Sequence, residues 1–371
     1  MPAEVRLAVA GSGKTSEIVR KISEQQQGTT SLALTFTQFA QSEIEARLPS
    51  TLASEHETMG WYAFLVRHIV RPFFPLLYPD KDLIPRGLCF IDSLGQIPKG
   101  RGGWKYYLND QHQPYNLRLA LLAKQVIKKT NGAPIERLQR IYDNIYIDEF
   151  QDLVGNDLEV VAALMDSEIN LFMTGDVRQS VLETSRSDRL NEDYRGVKQV
   201  DWFRAKRDAG LCTLVPSDTT TRFNQAIADF SDLIHDPTLE LPPTSSTQME
   251  VTGHDGVFLV DESQLAEYLE SLPRRATILW SQKSQRQLPQ GELLTFGTAK
   301  GITRERVAIL TTGPIVSLLK SRKLLKHSSA SGFYVAVTRA RYSVALVTKG
   351  AAKLHAQLHA DFKGKINLWS S

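Results

Sequence analysis

The sequence predicts an α/β protein with parallel sheets, and two observations lead to that fold class. Short apolar runs recur along the chain, and amphipathic stretches with helical spacing separate them. Strands that alternate with helices favour parallel α/β layers over a helical bundle or a β-sandwich. The runs that we expect to be strands are residues 5–9, 32–36, 145–147, 171–174, 211–215, 257–260, 276–280, 307–310 and 343–348.

The chain of 371 residues is long enough for two domains of ordinary size, which we expect at residues 1–210 and 211–371. Residues 60–140 interrupt the strand pattern of the first domain. This segment has helical spacing but is broken by prolines and by "GRGG". We therefore expect an inserted, helix-rich subdomain there.

The composition excludes several classes of protein. With 42% hydrophobic and 23% charged residues, the chain can form buried cores. The net charge of +3 is small, so any nucleic-acid-binding surface must be local. Cys89 and Cys212 lie in apolar contexts, which is typical of reduced thiols in a cytoplasmic protein. No apolar run reaches the about 18 residues of a membrane-spanning helix, so no membrane partner is expected.

The first apolar run leads into "AVAGSGKT", and a helical pattern follows. Glycines in such a turn let successive backbone N–H groups point at phosphate oxygens, and the helix N-terminus adds a partial positive charge. Lys14 would neutralise the β- and γ-phosphates, and Thr15 would bind Mg²⁺. Alone, this motif does not distinguish a kinase, a GTPase or a motor. The candidate nucleotide-binding residues are Gly11, Ser12, Gly13, Lys14, Thr15 and Ser16.

An acidic pair follows a second apolar run, in "NIYIDEFQDL". At the carboxyl end of a buried strand, Asp148 could hold Mg²⁺ and Glu149 could polarise an attacking water. A further strand, "LFMTGD", leads to Gln179, which could sense the γ-phosphate. The alternative for Gln179 is a solvated loop amide.

Seven stretches occur in the order that is typical of the UvrD/Rep/PcrA-like superfamily 1A helicases, and the chain resembles that family from residue 8 to residue 341. They are "AGSGKT", "LTFTQFAQSEI", "IDEFQD", "GDVRQSV", "TTRFNQAIADFSDLI", "TAKG" and "YVAVTRAR". The resemblance implies two RecA-like P-loop NTPase domains with parallel sheets and a helical insertion in the first. It also implies ATP and Mg²⁺ as cofactors and single-stranded DNA as a partner.

The resemblance implies catalytic roles for Lys14, Asp148, Glu149, Gln179, Arg222 and Arg339. Thr15 and Asp148 would be the metal ligands. Arg222 in "TTRF" and Arg339 in "VTRAR" would face the γ-phosphate from the second domain and stabilise charge that develops during phosphoryl transfer. The alternative for each arginine is a pair with a surface carboxylate.

The resemblance also implies contacts to a DNA strand. Thr37 lies in "LTFTQFA", and Thr295 and Lys300 lie in "LTFGTAKG". Thr58 and Trp61 lie in "TMGWYAFL". Trp61 could stack on a base, or it could be a core aromatic residue.

The sequence departs from the family in several places, which include Gly297 and Thr303 in and after "LTFGTAKG". Relatives insert an accessory subdomain where this chain has about a dozen residues, between "ATILWSQKSQ" and "LLTFGTAKG". After "GDVRQSV" the chain has "LETSRSD" where relatives have base-stacking aromatic residues. The adenine-reading segment of relatives has no counterpart before the first strand, which predicts loose base selectivity. The chain therefore resembles a compact form that lacks the second accessory subdomain.

These observations predict an ATP-hydrolysing, single-stranded-DNA-binding helicase or translocase. By resemblance its direction would be 3′→5′, and the departures predict weak duplex unwinding by the chain alone. The alternative is a nucleotide-switched regulatory subunit that works with a partner nuclease in a DNA repair or anti-phage defence complex.

Overall fold

The computed structural model describes residues 2–52, 54–181, 184, 189–274, 276–281 and 291–370. The chain divides into two compact units, each treated by itself below. The first unit comprises Met1–Leu7, Lys14–Gly175 and Leu182–Val215. The second unit comprises Ala8–Gly13, Asp176–Val181 and Pro216–Ser371.

The first unit is built on a six-stranded sheet. Its strands are β1 (Ala3–Ala8), β2 (Ser31–Thr35), β3 (His56–Gly60), β4 (Asn144–Ile147), β5 (Asn170–Gly175) and β6 (Cys212–Ser217). They lie in the order β3-β2-β4-β5-β1-β6, and the pairings from β3 to β1 are parallel. Strand β1 leads into the glycine turn and β4 leads into the acidic pair, and β5 lies between these two strands in the sheet.

Helices connect these strands. They are α1 (Lys14–Ser23), α2 (Gln38–Arg47), α3 (Trp61–Phe64), α4 (Arg71–Leu77), α5 (Asn116–Lys129), α6 (Ala133–Gln139), α7 (Asp157–Met165) and α8 (Gln199–Asp208). A π-helical segment, Leu65–Val70, joins α3 to α4. The inserted segment is thus helical at its two ends, whereas residues 78–115 contain only short turns of 3₁₀ helix. Prolines in this middle part are unfavourable inside a helix.

The apolar face of α1 fixes the start of that helix against the sheet. Ile18 and Ile22 are fully buried and pack in one cluster with Tyr146 of β4 and Phe172 of β5. Burial of an isoleucine side chain contributes about 1.5–3 kcal/mol relative to exposure. The first turn of α1 is therefore held at the edge of the sheet where the strands end.

The boundary between the units differs from the prediction. We expected the second domain to begin at residue 211, but β6 is the neighbour of β1 in the first sheet. The backbone N–H of Ala3 donates to the carbonyl of Leu211 at 3.1 Å. The first unit consequently extends to Val215.

The second unit contains a two-stranded sheet and a six-stranded sheet. The small sheet consists of β7 (Thr219–Thr220) and β8 (Ser245–Ser246). The strands of the large sheet are β9 (Gly256–Asp261), β10 (Thr277–Trp280), β11 (Leu293–Thr295), β12 (Arg304–Leu310), β13 (Ala340–Thr348) and β14 (Asn367–Leu368). They lie in the order β11-β10-β12-β13-β9-β14, and every pairing is parallel.

Helices cover the large sheet of the second unit. They are α9 (Gln225–Ser231), α10 (Leu265–Ser271), α11 (Gly313–Ser321), α12 (His327–Val337) and α13 (Ala351–Ala356). The apolar stripe predicted in "NQAIADFSDLI" is buried: Ile227, Phe230 and Ile234 are in the core with strands β9, β12 and β13. The two units thus confirm the parallel α/β fold class.

Two predicted departures from the family fall largely outside the described residues. They are the "LETSRSD" stretch, residues 182–188, and most of the short crossing between β10 and β11, residues 282–290. Strands β10 and β11 themselves are adjacent and parallel. Within the part of the chain that the structure describes, no helix is long and apolar enough to cross a membrane.

Candidate nucleotide site and strand-binding residues

The glycine turn lies between β1 and α1 and has the backbone conformation that the motif predicts. Gly11 has φ +76° and Gly13 has φ +81°, which is a region that L-residues other than glycine rarely adopt. The Oγ of Ser12 is buried and has no hydrogen-bond partner among the described residues. A turn with two such glycines and an unsatisfied buried hydroxyl fits a phosphate group.

Gly11 is also required by close packing within the second unit. A Cβ added to Gly11 would lie 2.5 Å from Cβ of Arg222 and 2.6 Å from Oγ1 of Thr220. The carbonyl of Gly11 accepts hydrogen bonds from the backbone N–H of Thr221 at 3.0 Å and from its hydroxyl at 3.2 Å. The "TTR" segment is thus held directly against the glycine turn.

The first turn of α1 contacts the acidic pair in the first unit. The hydroxyl of Thr15 donates to Oδ2 of Asp148 at 2.8 Å, and Nζ of Lys14 lies 3.7 Å from Oε1 of Glu149. The next residue, Ser16, accepts from Nη2 of Arg47 at 2.8 Å on the exposed side of the helix. Residues that are 133 positions apart in sequence therefore form one cluster of an ammonium group, two carboxylates and a hydroxyl.

Burial controls the chemistry of Asp148, which is 1% exposed. Burial and the adjacent Glu149 carboxylate raise the pKa of Asp148, and Lys14 and the Thr15 hydroxyl oppose this shift. A cation bound nearby would stabilise the ionised form of a buried carboxylate that lies beside a second carboxylate. The Asp148 carboxylate and the Thr15 hydroxyl supply hard oxygen ligands of the kind that Mg²⁺ prefers, so these residues fit that ion.

Glu149 is held in a strained conformation. Its φ is +54°, in the left-handed region, and such strain in a residue other than glycine often occurs at functional sites. Its carboxylate accepts a hydrogen bond from Nε2 of Gln151. Gln151 in turn packs against Gly175, where an added Cβ would lie 2.5 Å from Oε1 of Gln151. The glycine in "TGD" therefore makes room for the residue that positions Glu149.

Gln179 lies in a turn that follows β5 and belongs to the second unit. Its Nε2 donates to Oδ2 of Asp176 at 2.8 Å, and its Oε1 accepts from Nη2 of Arg339 at 3.3 Å. Gln179 is 3% exposed and Arg339 is 2% exposed. The solvated-amide alternative for Gln179 is therefore wrong, because both ends of the amide are bound inside the protein.

The two predicted arginines meet at the end of α12. Nε of Arg339 donates to the carbonyl of Val335 at 3.0 Å, and Nη1 of Arg222 donates to the carbonyl of Thr338 at 3.3 Å. Arg339 is buried, so it is not a surface arginine, whereas Arg222 is partly exposed. A change at Arg339 would be transmitted to Gln179 through their hydrogen bond.

The predicted strand-binding residues occupy different environments. In the first unit, the exposed Thr37 caps α2, and its hydroxyl accepts from the backbone N–H of Ala40 at 3.1 Å. Thr58 lies on β3, and its hydroxyl is 2.7 Å from Nε2 of His56. In the second unit, Thr295 ends β11, and the partly buried Lys300 lies in the following turn.

Trp61 is a core residue, and the prediction that it stacks on a base is wrong. Its side chain is 1% exposed, and its Nε1 donates to Oδ1 of Asp157 at 2.6 Å. Asp157 also accepts from the hydroxyl of Thr184 at 2.5 Å. A ring that is buried and hydrogen-bonded in this way has no face available for a nucleobase.

A cleft of about 710 Å³ in the first unit contains residues that the sequence analysis missed. Thr37 and Gly60 line it, together with Tyr62, Arg71 and Phe90. Tyr62 follows the predicted "TMGW" directly and was overlooked because Trp61 is the larger aromatic residue. Phe90 lies in the irregular middle of the insertion, where no periodic pattern marks it.

One family model matches part of the chain. Residues 109–191 match the model of the UvrD/REP helicase N-terminal domain. Among solved structures, the chain is similar to arterivirus nonstructural protein 10, a helicase determined in complex with DNA, at 12% identity and a TM-score of 0.45. That similarity covers 95% of this chain and 62% of the viral chain. No curated protein matches the chain by sequence.

The segment matched by the family model, residues 109–191, includes β4 with its acidic pair and the turn that contains Gln179. These are two of the seven ordered motifs. The match covers less than half of the chain, and it shows that this segment is similar to the UvrD/REP helicase N-terminal domain.

Proposed function

We propose that this protein is an ATP-hydrolysing translocase that binds single-stranded DNA. The observation that carries the proposal is the cluster in which Thr15 bonds to Asp148 and Lys14 lies beside Glu149. A lysine, a hydroxyl and paired carboxylates at the end of a glycine turn are the groups that phosphoryl transfer to water needs.

Each residue of this cluster has a distinct role in the proposal. Lys14 and the N–H groups of residues 11–15 hold the phosphates of ATP, and Thr15 and Asp148 hold Mg²⁺. When bound there, Mg²⁺ would supply positive charge that stabilises the phosphates. Glu149 orients the attacking water and accepts its proton, and Gln151 keeps the Glu149 carboxylate in place.

Gln179, Arg222 and Arg339 act on the γ-phosphate in the proposal. Two guanidinium groups stabilise the charge that develops on the transferred phosphoryl group. The hydrogen bond from Arg339 to Gln179 supports a linked response, because one side chain cannot reorient without changing the partner of the other. The resemblance to the family, rather than the geometry of a bound nucleotide, assigns these three contacts.

The strand contacts complete the proposal. Thr37, Thr58, Thr295 and Lys300 contact the backbone of single-stranded DNA, and translocation proceeds 3′→5′ as in the family that the chain resembles. Duplex unwinding by the chain alone is weak, because the crossing between β10 and β11 is too short for an accessory subdomain. In this proposal the protein acts in the cytoplasm.

The second hypothesis is a regulatory ATPase subunit that acts with a partner nuclease. It predicts that hydrolysis is indifferent to DNA and responds to a co-purifying protein. The same assay separates it from the translocase.

Phosphate release from ATP tests the proposal, measured with and without single-stranded DNA on the wild type and on Lys14→Ala and Glu149→Gln. A translocase requires hydrolysis that DNA stimulates and that both variants lose. Lys21→Ala is a matched control, because Lys21 lies on α1 and pairs with Glu4 away from the acidic pair. Hydrolysis that persists in Lys14→Ala would contradict both hypotheses.

A further inference from the structure

Phe90 is an exposed aromatic residue whose backbone is firmly held. Its side chain is 72% exposed at the rim of the 710 Å³ cleft. On one side, the N–H of Cys89 donates to the carbonyl of Pro114 at 2.8 Å. On the other side, the N–H of Ile91 donates to Oδ1 of Asn116 at 2.8 Å. The ring is thus presented to solvent by a bonded backbone and does not belong to a loose loop tip.

A second aromatic side chain that lines the cleft packs edge to face with Phe90. The ring centroids of Tyr62 and Phe90 are 6.1 Å apart, and the rings are nearly perpendicular, at 79°. The hydroxyl of Tyr62 donates to the carbonyl of Thr184 at 2.8 Å, which fixes the position of the tyrosine. The buried Trp61, bonded to Asp157, lies next to Tyr62 in the chain and anchors the start of α3.

The exposed charge of the cleft is positive. Arg71 lines the cleft, is exposed, and forms no ion pair with any residue in the described ranges. Arg67 also lines the cleft but is paired with Glu57. A guanidinium group in the same cleft as an exposed aromatic ring suits single-stranded nucleic acid, because the cation attracts phosphates and the ring can stack on a base.

We propose that Phe90 stacks on an unpaired base of single-stranded DNA in this cleft, and that Arg71 contacts the adjoining phosphate. This inference rests on the proposed DNA-binding function and assigns the stacking contact that Trp61 cannot make. Stacking on a π face is tolerant of sequence, so the cleft would accept any base. The insertion thereby contributes a DNA contact from its irregular middle part.

Binding of a labelled oligo-dT strand to the whole chain tests the proposal. The variants are Phe90→Ala, Arg71→Ala and the control Leu76→Ala. Leu76 is 66% exposed on α4 and does not line the cleft. Leu76→Ala therefore removes an exposed apolar side chain from the same insertion without changing the cleft. Because Phe90 is exposed and its backbone bonds do not involve the ring, Phe90→Ala should fold normally.

The same measurement on an oligonucleotide with abasic sites separates base stacking from backbone binding. We expect Phe90→Ala to weaken binding to oligo-dT at least about fivefold and to leave binding to the abasic strand unchanged. Arg71→Ala should weaken both, and its effect should shrink at high salt. Equal losses on the two strands, or a Phe90→Ala affinity like that of Leu76→Ala, would overturn the stacking assignment. Absence of DNA binding by the wild type would instead overturn the proposed function.

Discussion

Substitution of Gly11 by alanine is the sharpest perturbation of the glycine turn. Gly11 has φ +76°, and the new Cβ would lie 2.5 Å from Cβ of Arg222 and 2.6 Å from Oγ1 of Thr220. Atoms of this kind do not approach so closely, so the "TTR" segment must move. The movement also disturbs the two hydrogen bonds that Thr221 donates to the carbonyl of Gly11.

Gly28→Ala is the matched control for this substitution. Gly28 has φ +87°, and nothing lies within 4 Å of an added Cβ. Both variants therefore carry the left-handed backbone cost of about 1–2 kcal/mol in the free energy of unfolding. Only Gly11→Ala also displaces Arg222 and the N–H groups of the turn. A displacement of about 1 Å at a reacting group lowers turnover up to about 10²-fold.

Urea unfolding and steady-state ATP turnover measure these two effects separately. We expect similar losses of stability in the two variants and a turnover at least about tenfold lower in Gly11→Ala alone. Turnover in Gly11→Ala that equals that of Gly28→Ala would refute the reasoning that the close packing at Gly11 positions catalytic groups.

Three further variants test the site and the core. Glu149→Gln should lower ATP turnover about 10²–10⁴-fold while binding of a fluorescent ATP analogue is retained; near-normal turnover would remove Glu149 from the mechanism. Trp61→Phe deprives the buried Asp157 of a donor and should lower the free energy of unfolding by about 1–3 kcal/mol in urea titrations. An effect on DNA affinity alone would contradict its core position. Burial lowers the pKa of His68 to about 4. The neutral His68 imidazole should therefore contribute fully to the free energy of unfolding above pH about 6.5, and this contribution should be lost as the pH falls towards 4. In His68→Phe, the free energy of unfolding should therefore differ less between pH 7 and pH 5 than in the wild type. An equal difference in the two proteins would argue against a lowered pKa of His68.

The strands that the sequence predicts are those with short, mainly apolar runs. All nine expected runs correspond to strands, because parallel strands covered on both faces are continuously apolar. Strand β3 was missed because "HETMG" is polar and lies at an edge of its sheet. Strands β7, β8 and β14 have two residues each, which is too short for any periodic signal.

Some residues of the candidate site were also predictable from the sequence, and others were not. Motif order alone anticipated that Thr15 and Asp148 would meet, although 133 positions separate them. The sequence could not decide between the stacking and core roles of Trp61, because its partner, Asp157, lies far along the chain and has no local signature. Phe90 could not be found because its exposure depends on backbone bonds to Pro114 and Asn116, which the sequence around residue 90 does not reveal.

The sequence did not reveal the surroundings of two polar side chains. The alternative of a solvated loop amide for Gln179 is wrong, because its bonds to Asp176 and Arg339 bury it almost completely. Thr37 stays a predicted DNA contact, and the structure adds that its hydroxyl caps α2. A helix cap depends on local backbone angles, which a family motif alone does not determine.

ATP turnover measured on oligo-dT strands of increasing length tests the central claim most directly. A translocase that moves along the strand should hydrolyse ATP faster on longer strands, because each binding event then supports more steps before dissociation at the end. The Lys14→Ala variant should show no turnover at any length. Turnover that is independent of strand length, or that is the same without DNA, would contradict the account.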